Sequence, residues 1–288
     1  MKKPQLILAL AGILLVVLIY FFGQFKSEKA KPGSTPPMQQ MMGEGAGTPS
    51  GLSTDSLLIQ AKAQLNPGQL SRIEALENTI KNGTDKSSQL AAYHKLTHFW
   101  RDSAQIFEPY AWYEAETARL ENSEKSLTFA ARLFLDDLQS DNVMERRVWK
   151  ALQAKDLFER SLKLNPANDS AKVGLGSCYL FGNISQSPME GIAKIREVVQ
   201  KDSNNVYAQI TLVKGSLLSG QFEKGIERLK HVYSLQPNNV EAILLMAELY
   251  ERSGDKAEAI SWYQKSLVLA PNKEIKAAIS QRIEQLKH

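Results

Sequence analysis

A short motif returns at a fixed interval in the C-terminal part of the chain. Ser203-Asn204-Asn205-Val206-Tyr207-Ala208 aligns with Pro237-Asn238-Asn239-Val240-Glu241-Ala242 at an offset of 34 residues, and one further step reaches Pro271-Asn272. Self-similarity at a period of this size calls for a stack of one supersecondary unit in place of a single globular core. In the last copy, Ile243, Met246, Ala247 and Tyr250 recur at helical spacing within a helix expected from about Val240 to Ser253. Gly254-Asp255 ends that helix, since glycine tolerates the left-handed conformation that closes a helix. A second helix turns Ala259, Tyr263 and Ser266 inward, is closed by Leu267 and Leu269, and stops at Pro271, whose ring cannot continue the hydrogen-bond ladder.

These positions resemble the tetratricopeptide repeat: small residues at Ala247 and Ala259, aromatics at Tyr250 and Tyr263, a turn glycine at Gly254 and a terminal proline at Pro271. The preceding unit keeps Leu212, Gly220, Gly225, Leu229 and Pro237 but has Ser216 where an aromatic is expected. The unit before that matches at Leu175-Gly176 and Tyr179 and carries extra turn residues over Asn183–Ser187. Pro188 then opens its second helix, and Gly191, Ile195 and Val198 restore the register. The resemblance implies an all-α, right-handed helical-hairpin solenoid over residues 87–288, with residues 273–288 as a capping helix striped by Ile275, Ile279, Ile283 and Leu286.

Upstream the pattern loosens. Leu90, Tyr93, Leu96 and Trp100 define a helix whose partner carries Phe107, Ala111, Tyr113, Ala118 and Leu120. Helices over Leu127–Leu138 and Val143–Leu164 follow, and the first of these does not align at the repeat period. Residues 54–86 read as an N-terminal helical hairpin, opened by the cap residues Ser53-Thr54-Asp55 and turned at Asn66-Pro67-Gly68.

Lys2 and Lys3 precede an uncharged run from Leu6 to Gly23. About 18–20 apolar residues span a bilayer of roughly 30 Å, so residues 1–23 are expected to be a transmembrane signal anchor, with residues 4–23 in the membrane. Gly23-Gln24-Phe25-Lys26 is not a small-x-small cleavage site, and no lipid-acceptor cysteine follows. Lysines flank both sides of the run, so charge does not orient it. The short leading tail is expected to leave the N-terminus in the cytoplasm and the remainder outside, so that a bacterial inner membrane holds the anchor and the soluble domain is periplasmic. Residues 24–53, rich in Pro, Gly, Ser and Met, lack apolar periodicity and read as a disordered linker.

The net charge of +4 is spread over mixed helix faces, with no basic stripe or aromatic platform for nucleic acid. Cys178, the only cysteine, falls beside a core face and reads as a small buried residue. His94 and His98 share a helix face, but Lys95 stands where a zinc-protease helix needs glutamate, and a third ligand is not evident. Carboxylates such as Asp136-Asp137, and Glu145 beside Arg146-Arg147, read as solvated faces. No nucleophile elbow or phosphate loop is recognisable. The expectation is a non-enzyme with no catalytic residues, metal or cofactor.

In the family it resembles, the first helices of the hairpins line a concave surface that holds a peptide or a partner helix. Carried onto the matched units, that surface comprises Ser177 and Phe181; Tyr207, Ile210, Lys214 and Leu218; and Glu241, Leu244, Glu248 and Arg252. The Lys/Asn clamp that some members use for a C-terminal carboxylate is not visible, because Ile210 and Leu244 hold the central positions. The alternative is that Ile210, Leu218 and Leu244 pack as core between units, leaving Tyr207, Lys214 and Glu248 exposed. The resemblance implies a membrane-anchored adaptor or scaffold that binds a protein or peptide partner in envelope assembly. Membrane-anchored repeat proteins of similar layout also serve as chaperone-like accessories of protein export or of cytochrome c maturation. A self-associating structural component of an envelope complex is the third reading, and nothing in the sequence sets the oligomeric state.

Overall fold

The computed structural model describes residues 52–83, 85–184 and 188–288, so the proposed anchor and nearly all of the linker lie outside the described residues. The described residues form thirteen α-helices and no strand. They are α1 (Thr54–Lys62), α2 (Pro67–Asn82), α3 (Lys86–His98), α4 (Phe107–Glu121), α5 (Glu124–Leu138), α6 (Met144–Leu164) and α7 (Asp169–Phe181). They continue as α8 (Pro188–Lys201), α9 (Val206–Ser219), α10 (Phe222–Leu235), α11 (Val240–Ser253), α12 (Lys256–Leu269) and α13 (Lys273–Lys287). From α3 onward each helix packs on the next, and α5, α7, α9 and α11 also touch across the hairpins, as in a helical-hairpin solenoid. None of the described helices is long and apolar enough to cross a membrane.

The repeat is written in the helix caps. Asn168, Asn205, Asn239 and Asn272 are the N-caps of α7, α9, α11 and α13. Their side chains accept from the backbone N–H three residues on, at 2.9, 3.0, 3.0 and 2.8 Å. At the other end of α9 and α11, Gly220 (φ 71°) and Gly254 (φ 90°) take the left-handed conformation. In α7 that role passes to Asn183 (φ 56°), at the start of the inserted turn.

The core is segmented along the chain. Ile73, Leu96, Trp100 and Tyr113 gather near the N-terminal end; Phe134, Trp149, Leu157, Phe158, Leu175 and Cys178 gather in the middle; Val173, Ile195, Val198 and Leu212 follow. Cys178 is fully buried, and burial pushes its thiol pKa up, as befits a packing residue. Near Ser216, which stands where an aromatic is expected, the Leu249 side chain of α11 lies against Gly225. α13 buries Ile275, Ile279, Ile283 and Leu286, as its stripe predicts.

The α7–α8 contact is made backbone to backbone. A Cβ on Gly191 would lie 2.3 Å from the Gly176 carbonyl oxygen, and one on Gly176 would lie 2.7 Å from that of Gly191. Gly191→Ala is therefore expected to destabilise the fold by about 1–3 kcal/mol through overpacking. A urea midpoint unchanged from the parent would contradict this close approach.

Two features of the N-terminal helices go beyond what helical spacing foresees. Trp100 lies in a π-helical turn: α3 runs into it over Phe99–Ala104, and it is closed by Gln105 in the left-handed conformation (φ 55°), with the Ile106 N–H on the Trp100 carbonyl at 3.1 Å. This widened turn seats consecutive Phe99 and Trp100 together in the core, which a spacing rule for a regular helix does not foresee. Within residues 54–86, Lys62 of α1 pairs with Glu77 of α2 at 2.6 Å, and Ala61 and Ile73 share one core, but this segment is also tied to helices further along the chain. α1 lies against α4, Leu57 joins the central core, and Trp149 of α6 donates its indole N–H to the Thr54 hydroxyl at 3.0 Å.

Candidate functional site

α5, α7, α9 and the start of α11 enclose a cleft of about 380 Å³. From α7, Ser177 and Phe181 line it. Ser177 is 2% exposed and donates its hydroxyl to the Val173 carbonyl at 2.9 Å. Phe181 stands half-buried at the end of α7, and its carbonyl accepts from the Arg147 guanidinium at 3.0 Å. On α9, Tyr207, Ile210 and Lys214 recur at three- and four-residue spacing and share the wall facing the cleft. Ile210 is buried, while Tyr207 and Lys214 remain partly accessible. Burial pushes the Tyr207 phenol up to about 12, so it is a neutral hydrogen-bonding group at any physiological pH.

The opposite wall is α5, with Arg132 and Asp136 facing the cleft and Gln139 just beyond its end. Two contacts cross over α7. The Arg132 guanidinium carbon lies 5.2 Å from the Tyr207 ring centroid, and Lys214 Nζ donates to Gln139 Oε1 at 3.3 Å. Lys214 also pairs with Glu241 Oε1 at 2.9 Å, joining α9 to α11. Both partners are substantially solvated, so the pair contributes at most about 1 kcal/mol and mainly sets position.

Six of the ten residues expected on the concave surface therefore line this cleft: Ser177, Phe181, Tyr207, Ile210, Lys214 and Glu241. The other four lie outside it. Leu218 is 68% exposed at the end of α9, and Leu244 is partly buried on α11. Glu248 pairs with Arg252 at 2.8 Å; burial raises the Glu248 carboxyl pKa and the Arg252 charge works against that shift. As for the core alternative, Ile210 is buried at 5%, Leu218 is not core, and Leu244 is intermediate.

Arg132, Asp136 and Gln139 escape a reading by repeat alignment because α5 is out of register with the period. Their own spacing, four and three residues, nevertheless marks one polar stripe on a helix that buries Leu127, Ala131, Phe134 and Leu138.

Asp136 and Glu145 are exposed, as the reading of these charges as solvated faces expects, but Asp137 and Arg146 depart from it. Lys150, 2% exposed, is held by Asp137 and, at 2.5 Å, by Asp141, with Glu108 at 3.6 Å. Arg146 takes Asp141 at 2.8 Å. Asp136 and Asp137 are neighbours on α5 yet point apart, one into the cleft and the other into this cluster, which ties α5 to α4 and α6. His94 sits 3.8 Å from Glu121, and His98 sits 3.2 Å from Asp102. No three potential metal ligands converge among the described residues.

The tetratricopeptide repeat family model matches residues 216–281, less than half of the chain. The fold is a tetratricopeptide-repeat-like solenoid. A solved tetratricopeptide repeat protein from Parabacteroides merdae is 14% identical, with 81% of this chain and 86% of that one covered at a TM-score of 0.54. A thermophilic protein of the same repeat type from Thermus thermophilus is 15% identical, covering 70% of this chain and 99% of that one at a TM-score of 0.50. At these identities the likeness concerns the solenoid fold alone. No curated protein matches the chain.

Proposed function

We propose that this chain is a non-enzymatic adaptor whose cleft between α5, α7, α9 and α11 holds a segment of a partner protein. The observation that carries this is the cleft's make-up: an aromatic and aliphatic surface from Phe181, Tyr207 and Ile210, rimmed by Arg132, Asp136, Lys214 and Glu241. A concave apolar surface with a few placed polar groups is the usual form of a binding site, and partly exposed tyrosine is a frequent anchor of binding energy. Residues 4–23 then act as a single-pass anchor in a bacterial inner membrane, with the solenoid on the periplasmic side. The support for this is the uncharged run from Leu6 to Gly23 behind Lys2 and Lys3. The linker up to residue 53 lets the solenoid search near the membrane, where tethering raises the effective concentration of partners. Envelope protein assembly, including chaperone-like service to export or to cytochrome c maturation, is the setting that fits such a layout.

The test is in-cell photo-crosslinking from position 139, at the mouth of the cleft. One dominant protein adduct is expected. Tyr207→Ala together with Lys214→Ala is expected to reduce it by about tenfold or more, equivalent to roughly 1.4 kcal/mol of binding free energy. An adduct indifferent to both changes, or one made only with further copies of this chain, would remove the adaptor reading; the latter would favour self-assembly.

A further inference from the structure

The charged groups of the cleft are unequally satisfied. Lys214 already holds Glu241 at 2.9 Å and Gln139 at 3.3 Å, and Arg132 lies against the Tyr207 ring. Asp137, the neighbour of Asp136, is committed to Lys150 on the other side of α5. Asp136 itself has no hydrogen bond and no ion pair with any of the described residues, although it lines the cleft and remains open to solvent.

Resting on the adaptor reading above, we propose that the segment held here carries a lysine or arginine side chain that pairs with Asp136, next to an apolar side chain seated against Tyr207 and Ile210. The two requirements lie close together, because the α5 and α9 walls approach each other over Ser177. An acidic segment fits less well. Its carboxylate would be drawn to Arg132 but would meet Asp136 one helical turn along α5 and Glu241 on the facing side. The surroundings of Asp136 agree. Although the residue keeps an exposed face, the cleft walls strip part of the hydration of its carboxyl and raise its pKa; Arg132 and Lys214 work against that shift, and Glu241 and Asp137 add to it. Arg132 and Lys214 act on Asp136 only from a distance, and a ligand cation supplies the direct pair that neither of them makes.

The test uses the full-length chain, purified in detergent, against immobilised random octapeptides in pools that differ in one fixed central residue. Pools with Lys or Arg fixed are expected to bind about tenfold more strongly than pools with Asp or Glu fixed, the scale of a partly desolvated charge pair. Asp136→Asn is expected to erase that preference, and Asp136→Lys to reverse it, with the urea midpoint of Asp136→Asn kept at the parent value. Binding that depends on Tyr207 but favours no basic pool, or a basic preference that survives Asp136→Asn, overturns this inference while leaving the cleft as the binding site. Failure of every pool to bind the parent better than the Tyr207→Ala, Lys214→Ala variant overturns the cleft reading, and the inference with it.

Discussion

Lys150→Ala is expected to destabilise the solenoid by about 3–5 kcal/mol, because it strips the cation from a buried cluster and leaves its carboxylates behind. Asp141 is 7% exposed, and Asp137 and Glu108 are partly covered, so none can recover full hydration in place. The lysine also sits 5.1 Å from the Phe107 ring centroid, linking α6 to the first turn of α4. Lys150→Met with Asp141→Asn removes both signs at once and is expected to cost less than the sum of the single changes. Urea unfolding of the parent, of Lys150→Met, of Asp141→Asn and of the double variant measures this, and strict additivity would show that the cluster does not act as a unit. The pH dependence has a definite sign. Burial opposes ionisation of Asp141, but hydrogen bonds from Arg146 and Lys150 and from the Val143 N–H outweigh it and hold its carboxyl below the ordinary 3.8. A carboxyl with a depressed folded pKa stabilises the fold above its ordinary value and loses that contribution as pH falls below it. Acid unfolding of the parent below about pH 4 is therefore expected to be partly blunted in the double variant.

Phe158→Ala is the second large effect, expected at about 3–5 kcal/mol. The ring is fully buried on α6 and lies over Gly174 of α7, where its Cζ would come within 2.2 Å of any Cβ. Ring and glycine are matched: the missing side chain at 174 lets the phenyl ring rest on the helix backbone, and α7 has no side chain there to refill the space. A collapse that spared stability would be seen as a change below about 1 kcal/mol, outside the range for a rigid aromatic site. Because α7 carries Ser177 and Phe181, the same variant is expected to weaken partner binding at temperatures where it is still folded. A full loss of stability with unaltered affinity would show the cleft to be independent of this packing.

The repeat units were legible because their determinants are local. The Asn caps act over three residues, the turn glycines over one, and the apolar stripes over a single helix. Cys178 and the capping stripe of α13 follow from the same short-range rules. The cleft was legible only on the side built by matched repeats: Tyr207, Ile210, Lys214 and Glu241 could be placed by counting. Its other wall could not, since the Lys214–Gln139 contact joins residues 75 apart and the phase of α5 is set by packing.

The sequence by itself determined that this chain stacks helical hairpins, where the C-terminal hairpins begin and end, and which of their faces are apolar, because each of these is decided within one or two turns of helix. Only the tertiary structure decided that α5 closes the cleft, that Asp136 and Asp137 part ways, that α1 leans on α4, and that a lysine can be buried at position 150. Each of these depends on which distant groups meet, and a charge is tolerable in the interior only once its partners from other segments are in place.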